Sequence, residues 1–318
     1  MKRFIPLAAL ALSFISLHTG FPQQMEKTYN FILPMKPLKA GTEDGPDASI
    51  MVKRICGILE NKLNAAISCK VLFRPDSLLL TKEGIEKYIA MIEDENYDFI
   101  YIFSDDFVRL RKHGYGKIVP LVTFTFDGKK TDDKCLFFRA TDGVKTLTDL
   151  KGKRWGGSFY YWFTPSILAA HGVNEPMGEF FRLVYEPVGV FTSEADMLVE
   201  NKIDVFTSTT LEHKFLQGAD DRYKDIRKGF CIEGTTNHII GCRKDFEPHA
   251  VKSVLDLLLK AHKDKDFQEY RFFFLALNGH FVKFKEEDLA PTVKLVDAAD
   301  SNGWTREEIA FIRKHGGK

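Results

Sequence analysis

The alternation of apolar and polar positions divides this chain into two successive runs of strand and helix. In the first run, Tyr29-Asn-Phe-Ile-Leu-Pro-Met reads as a strand entering a turn-rich loop, Lys39-Ala-Gly-Thr-Glu-Asp-Gly-Pro-Asp. Asp47 or Ser49 can cap a helix in which Ile50, Met51, Ile55, Ile58, Leu59 and Leu63 recur at helical spacing. Cys69-Lys-Val-Leu-Phe-Arg reads as a second strand and 81–93 as a second helix. Tyr97-Asp-Phe-Ile-Tyr-Ile-Phe is a third strand, apolar at nearly every position, as expected of one covered on both faces. A short helix over 107–113 and a strand over 117–126 complete the run.

The second run repeats the order. Cys135-Leu-Phe-Phe-Arg and Lys153-Arg-Trp-Gly read as strands, and 165–171 as a helix stopped by Gly172. Phe181-Arg-Leu-Val-Tyr is a strand. A helix over 193–201 is capped by Thr192 or Ser193, and Ile203-Asp-Val-Phe-Thr-Ser-Thr is the next strand. From 247 onward the pattern is helical, over 247–262, 266–277, 285–299 and 305–315. Strands alternating with helices predict an α/β protein whose sheets are mostly parallel and flanked by helices. Two such units followed by helices predict a two-lobed clamp. Residues 25–122 with 239–318 would form the first lobe and 123–238 the second. The strand-like crossings near 119–126 and 235–242 would act as paired hinges.

Composition changes this picture mainly at the N-terminus. Lys2 and Arg3 precede an uncharged apolar run over 4–17, the layout of a secretory signal too short to span a bilayer. Residues 1–24 are therefore expected to be a signal peptide, cleaved between Leu17 and Gln24. With no cysteine in the first 55 residues, no lipid anchor is expected. The mature protein should be soluble and exported. The formal charge of +1 falls to −1 without Lys2 and Arg3, which advertises neither a nucleic-acid nor an anionic-membrane partner.

Export makes the cysteines informative. Five is an odd number, so at least one is free or pairs between molecules. The hairpin-like segment between Cys231 and Cys242 makes that pair the expected disulfide, with buried free thiols as the alternative. Nine histidines and five cysteines show no metal-ligand spacing, so neither metal nor cofactor is expected. Gly41-Thr-Glu-Asp-Gly45 lacks the Lys-Ser/Thr of a phosphate loop. Gly156-Gly-Ser158 lacks the second glycine of a nucleophile elbow, so no enzyme motif is present.

Three passages then carry a family resemblance. They are Tyr97-Asp-Phe-Ile-Tyr-Ile-Phe-Ser-Asp-Asp-Phe-Val, followed by Lys117-Ile-Val-Pro-Leu-Val; Lys145-Thr-Leu-Thr-Asp-Leu-Lys-Gly-Lys-Arg; and Thr192-Ser-Glu-Ala-Asp-Met-Leu-Val-Glu-Asn-Lys-Ile-Asp-Val. In this order and behind a signal-like segment, the chain resembles the periplasmic substrate-binding proteins of phosphonate-type ABC transporters. That resemblance implies a type II periplasmic-binding-protein clamp that captures a small molecule and hands it to an ABC permease. A sensor handing ligand occupancy to a kinase, and more remotely an enzyme on this fold, are the alternatives. A monomer is expected.

The resemblance also implies where ligand contacts lie. In the first lobe these are Met35, Lys36, Ser104 and Asp105. In the second they are Ser158–Thr164, Ser193, Glu194, Thr207 and Ser208, and His238 lies in a crossing strand. Phosphonate-binding members open the second-lobe helix with a loop of small hydroxyl residues. Here Phe159-Tyr160-Tyr161-Trp162-Phe163 stands in that place, between Ser158 and Thr164. Five aromatics suit a planar or apolar ligand rather than a bare phosphonate.

Overall fold

The computed structural model describes residues 27–35, 48–73, 76–79, 81–156, 163–184, 193–270 and 279–302. The signal segment and the helix expected over 305–315 lie outside them. The first sheet begins with β1 (Thr28–Met35), α1 (Ala48–Leu63) and β2 (Ala66–Phe73), the two strands pairing in parallel along their whole length. α2 (Lys82–Asp94) starts where the Thr81 hydroxyl accepts from Gly84 N at 3.1 Å, and it buries Ile85, Tyr88 and Ile92 at helical spacing. β3 (Phe99–Ile102), α3 (Ser104–Lys112) and β4 (Ile118–Thr125) follow.

The chain then crosses to a second sheet. This contains β5 (Thr131–Arg139), β6 (Arg154–Gly156), α4 (Phe163–Ala170), α5 (Met177–Phe180), β7 (Arg182–Val184), α6 (Ser193–Val199), β8 (Val205–Thr209), α7 (Thr210–Ala219) and β9 (Ile226–Thr236). It returns through β10 (Ile239–Arg243), α8 (Pro248–Lys260), β11 (His280–Lys283) and α9 (Ala290–Asn302). The first sheet has the order β11-β4-β10-β3-β1-β2 and the second β7-β6-β8-β5-β9.

Each sheet is mixed in direction. β1, β2 and β3 run parallel, as do β6, β7 and β8, but β10 opposes both its neighbours and β11 opposes β4. β5 opposes β8 and β9. Apolar runs reveal that a strand is buried without revealing its direction. Every antiparallel pair contains a strand that adjoins a crossing, namely β4, β5, β9 or β10.

Period-2 alternation sends Leu136 and Phe138 of β5 into one core and Cys135 and Phe137 into the other. In the first sheet, Ile100 and Ile102 pack toward Tyr88, Phe107 and Val296, while Phe99 faces Cys56 and Leu258. α4 spans the two halves: Phe163 is buried in the first-sheet cluster, whereas Ile167 and Leu168 belong to the second. β9 carries two irregularities against β5, and at one of them a Cβ on Gly234 would overlap the backbone carbonyl of Asp132.

The two crossings lie side by side. Asp127 (φ 49) and Gly128 (φ 73) form a two-residue turn closed by reciprocal backbone bonds between Phe126 and Lys129, at 3.0 and 2.9 Å. On the return, Asn237 N donates to Lys130 O at 2.8 Å and its side chain donates to Phe124 O at 2.8 Å. The Thr123 hydroxyl lies 3.1 Å from the carbonyl oxygens of both Asn237 and His238. Lys130 pairs with Asp288, just ahead of α9, at 2.8 Å.

The disulfides correct the expected pairing. Cys231 is bonded to Cys135, its register partner across β5 and β9, with α-carbons 4.1 Å apart. Cys242 is buried and free in β10 of the other sheet, opposite Phe99 and Val119, so the expected Cys231–Cys242 bond has no geometry to form. Cys56 is bonded to Cys69, tying α1 to β2.

One ion cluster gives a pH prediction. Asp204 accepts from Arg154 N and Nε at 2.9 Å each, from Arg154 Nη2 at 2.8 Å and from Arg139 Nη2 at 2.9 Å. The Arg154 side-chain bonds, against the opposing cost of burial, hold the Asp204 carboxyl well below the usual carboxylate range. A depressed carboxylate stabilises the fold above its unfolded pKa, and that contribution fades as pH falls through the folded value. Asp204→Asn should therefore lose about 2 kcal/mol at pH 7, because two partly buried guanidinium groups lose their anion. Urea unfolding should show the gap from wild type narrowing below about pH 4.

Candidate functional site

β3 ends at Ile102, and Phe103 precedes α3 with no side-chain cap. The pairing Ile239↔Ile102 brings His238, from the return crossing, beside Phe103. Phe99, Tyr101 and Phe103 share one face of the strand by period 2, so two rings reach the strand end on that side. Three rings converge there edge to face. Ring centres are 5.1 Å apart for Tyr101–His238, 4.5 Å for Phe103–His238 and 6.4 Å for Tyr101–Phe103. The Tyr101 hydroxyl and His238 Nδ1 form a hydrogen bond. His238 is exposed, and desolvation by the protein on its inner side disfavours its imidazolium and lowers its pKa. The corner is thus neutral at neutral pH, with aromatic faces beside a polar edge.

Ser104 and Asp105 open α3, and both are buried. Ser104 Oγ donates to Thr236 O at the end of β9. Thr236 N donates to Thr292 Oγ1 at 2.8 Å, and the Thr236 hydroxyl donates to Asp288 O. This chain of bonds joins α3, β9 and α9, so the Ser104 proton is already committed to linking elements of both sheets.

In the second lobe, Thr164 of α4 and Thr207 of β8 share a hydrogen bond of 2.6 Å, and Trp155 Nε1 donates to Thr207 Oγ1 at 3.1 Å. Ser208 donates to Glu212. Glu194 lies half-buried in the first turn of α6. The candidate second-lobe hydroxyls are therefore tied into the protein at the end of β8. Lys134 of β5 is 6% exposed, and its ammonium lies 5.0 Å from the centre of the Phe163 ring, at the start of α4.

The structure gathers Tyr101, Phe103 and His238 at the end of β3, and separately brings Thr164, Thr207 and Lys134 together near the start of α4. Of the residues expected from the sequence, Lys36, Ser158, Phe159, Tyr160, Tyr161 and Trp162 lie outside the described residues, as do the side chains of Met35 and Ser193. Tyr101, Phe103 and Lys134 were not among them. Their signals were present: aromatics at every second position of a strand that runs into a loop, and one lysine on the apolar face that carries Leu136 and Phe138. Among the described residues, no group of three or more His, Cys, Asp or Glu is placed to hold a metal ion. No described helix is long and apolar enough to cross a membrane.

No family model matches the chain, and no curated protein sequence does. Solved structures match it by shape. The binding-protein component of an ABC phosphonate transporter from Pseudomonas aeruginosa aligns with a TM-score of 0.62 and 13% identity, over 91% of this chain and 93% of that one. PhnD1 from Prochlorococcus marinus, in complex with methylphosphonate, aligns at 0.63 and 11%, over 86% and 98%. The periplasmic aliphatic sulphonate-binding protein SsuA from Escherichia coli aligns at 0.54 and 11%, over 92% of each chain. Likeness at such identities speaks for architecture: two α/β sheets flanked by helices and joined by paired crossings make this chain a type II periplasmic-binding-protein fold.

Proposed function

We propose that the protein is an exported solute-binding receptor that captures a small molecule between its lobes by hinge closure and delivers it to an ABC-type permease. It works as a periplasmic monomer and catalyses no reaction. The observation that carries this reading is the Tyr101–Phe103–His238 corner, built where β3 ends and the return crossing begins. The crossings that join the two halves therefore border the aromatic faces. The shared fold with phosphonate- and sulphonate-binding proteins supports the same reading.

The ligand has a planar or apolar body with one polar end, and a bare phosphonate or phosphate is too small to use the corner. The aromatic faces take the body. The positive charge of Lys134 favours a polar end of negative charge through space. Asp105, Glu194 and the Phe159–Phe163 run complete the proposed contacts.

Native mass spectrometry of freshly purified protein should reveal a co-purified small molecule, recovered chemically unchanged. With that molecule added back, small-angle scattering should show a falling radius of gyration. Tyr101→Ala and His238→Ala should each weaken its binding about tenfold by calorimetry, since an aromatic contact contributes on the order of 1 kcal/mol beyond area burial. Micromolar binding of methylphosphonate or phosphate, or full affinity in both variants, would overturn the proposed ligand class. An unchanged radius of gyration at saturation would overturn the clamp.

A further inference from the structure

A second polar cluster stands apart from this site, where the turn after α8 meets β11. His262, in the turn Ala261–Lys263, and His280, the first residue of β11, have ring centres 5.3 Å apart with planes inclined by 48°. Two details of their hydrogen bonding bear on their chemistry. The Thr125 hydroxyl donates to His280 O at 3.0 Å, so toward His280 Nδ1, 3.2 Å away, it acts as acceptor. The His280 proton is therefore on Nδ1, and Nε2 carries the lone pair. His262 Nδ1 is buried and has no hydrogen-bond partner among the described residues. An orphaned buried nitrogen of this kind needs a water or an ion to account for it.

We propose that His262 and His280 bind one divalent transition-metal ion of the zinc class, with water completing the coordination. Imidazole nitrogens about 2.05 Å from a tetrahedral ion place the ring centres roughly 5 Å apart, the spacing found here. Imidazole suits zinc, copper and nickel, and a ligating histidine usually anchors its other ring nitrogen on an oxygen, as His280 does on Thr125. A histidine must be neutral to ligate. Burial first, then the neighbouring His280 and Lys263, disfavour the charged form of His262. The Lys263 ammonium also opposes a bound cation, so affinity will be lower than in a closed structural zinc site. Thr125 is the last residue of β4 before the chain crosses to the second sheet. An ion on this pair would therefore pin β11 and the end of β4 at the root of the crossing.

The test is titration of Zn²⁺ into the full chain, free of chelator and of any histidine tag, at pH 7.5. We expect a saturable one-to-one isotherm, weakened at least tenfold in His262→Gln and in His280→Gln, with far-UV circular dichroism confirming that both fold. Thr125→Val should weaken it about tenfold by releasing the tautomer, while leaving Zn²⁺-independent folding intact. Binding should also fade as pH falls below about 6, because protons compete for the same nitrogens. Imidazole ¹H–¹⁵N spectra give a readout free of substitutions: Zn²⁺ should shift His262 and His280 and leave His113 and His249 in place. Absence of saturable binding, wild-type affinity in both glutamine variants, or shifts confined to other histidines would each overturn the proposal. None of these outcomes bears on ligand capture at Tyr101 and His238.

Discussion

Replacing Cys135 and Cys231 together by alanine should destabilise the protein by about 4–5 kcal/mol, making it the more costly of the two possible disulfide losses. The bond closes a loop with a sequence separation of 96 residues, and by loop-closure entropy a loop of that length contributes about 4.7 kcal/mol. Cys56–Cys69 spans a separation of 13, for which the same relation gives about 3 kcal/mol. Urea unfolding of the two double variants under oxidising conditions should therefore rank them in that order. Equal losses, or the reverse order, would show that strain or residual structure in the unfolded chain outweighs loop length. Peptide mapping without reductant should recover Cys135 joined to Cys231 and leave Cys242 as a thiol.

A second large effect is expected at Trp155, the largest fully buried side chain among the described residues. It packs with Leu136, Ile167 and Phe180, and its indole donates to Thr207. Trp155→Ala should cost about 3–5 kcal/mol, through lost burial and the cavity left behind. Trp155→Phe keeps most of the volume and should cost about 1–2 kcal/mol, the worth of one buried hydrogen bond and a small void. Thermal unfolding separates the two. If Trp155→Ala loses under 1 kcal/mol, the second core must be able to collapse around the gap, contrary to the packing described.

Much of the architecture could be read before any coordinates, for identifiable reasons. α2 was legible because Ile85, Tyr88 and Ile92 obey the helical period and Thr81 caps it. β3 was legible because a chain covered on both faces is apolar throughout. Strand direction was not, since nothing local distinguishes β10 running with β3 from β10 running against it. The partner of Cys231 was hidden for the same reason, because register across β5 and β9 joins residues far apart in sequence. Asp127-Gly128 is a tight-turn signal that the expected elements left unused, at the residues where one sheet gives way to the other. At the candidate site, Ser104, Thr164, Thr207 and Ser208 were expected as ligand contacts from the family resemblance, yet each hydroxyl is engaged by a protein neighbour. Tyr101 and Phe103 were taken for ordinary strand residues because a continuous apolar run conceals which face ends at an opening.

The position of β10 has a consequence for how the chain must assemble. This strand lies inside the first sheet, with β4 on one side and β3 on the other, although more than a hundred residues of second lobe separate it from both in sequence. Until it arrives, the first sheet is two pieces with facing raw edges, β4 alone and β3 with β1 and β2, because β11 comes later still. The second sheet is drawn from one unbroken stretch, although α9 later packs on its β9 and α4. It should reach its native state early, while the first half waits for a keystone made late in synthesis, a high-contact-order step that is intrinsically slow. Chains cut short before residue 239 should then accumulate as a folded second lobe carrying an unfinished sheet. Their exposed strand edges invite pairing with other chains. Aggregation of such fragments, and its relief when the missing strand is supplied, is the behaviour this topology prescribes.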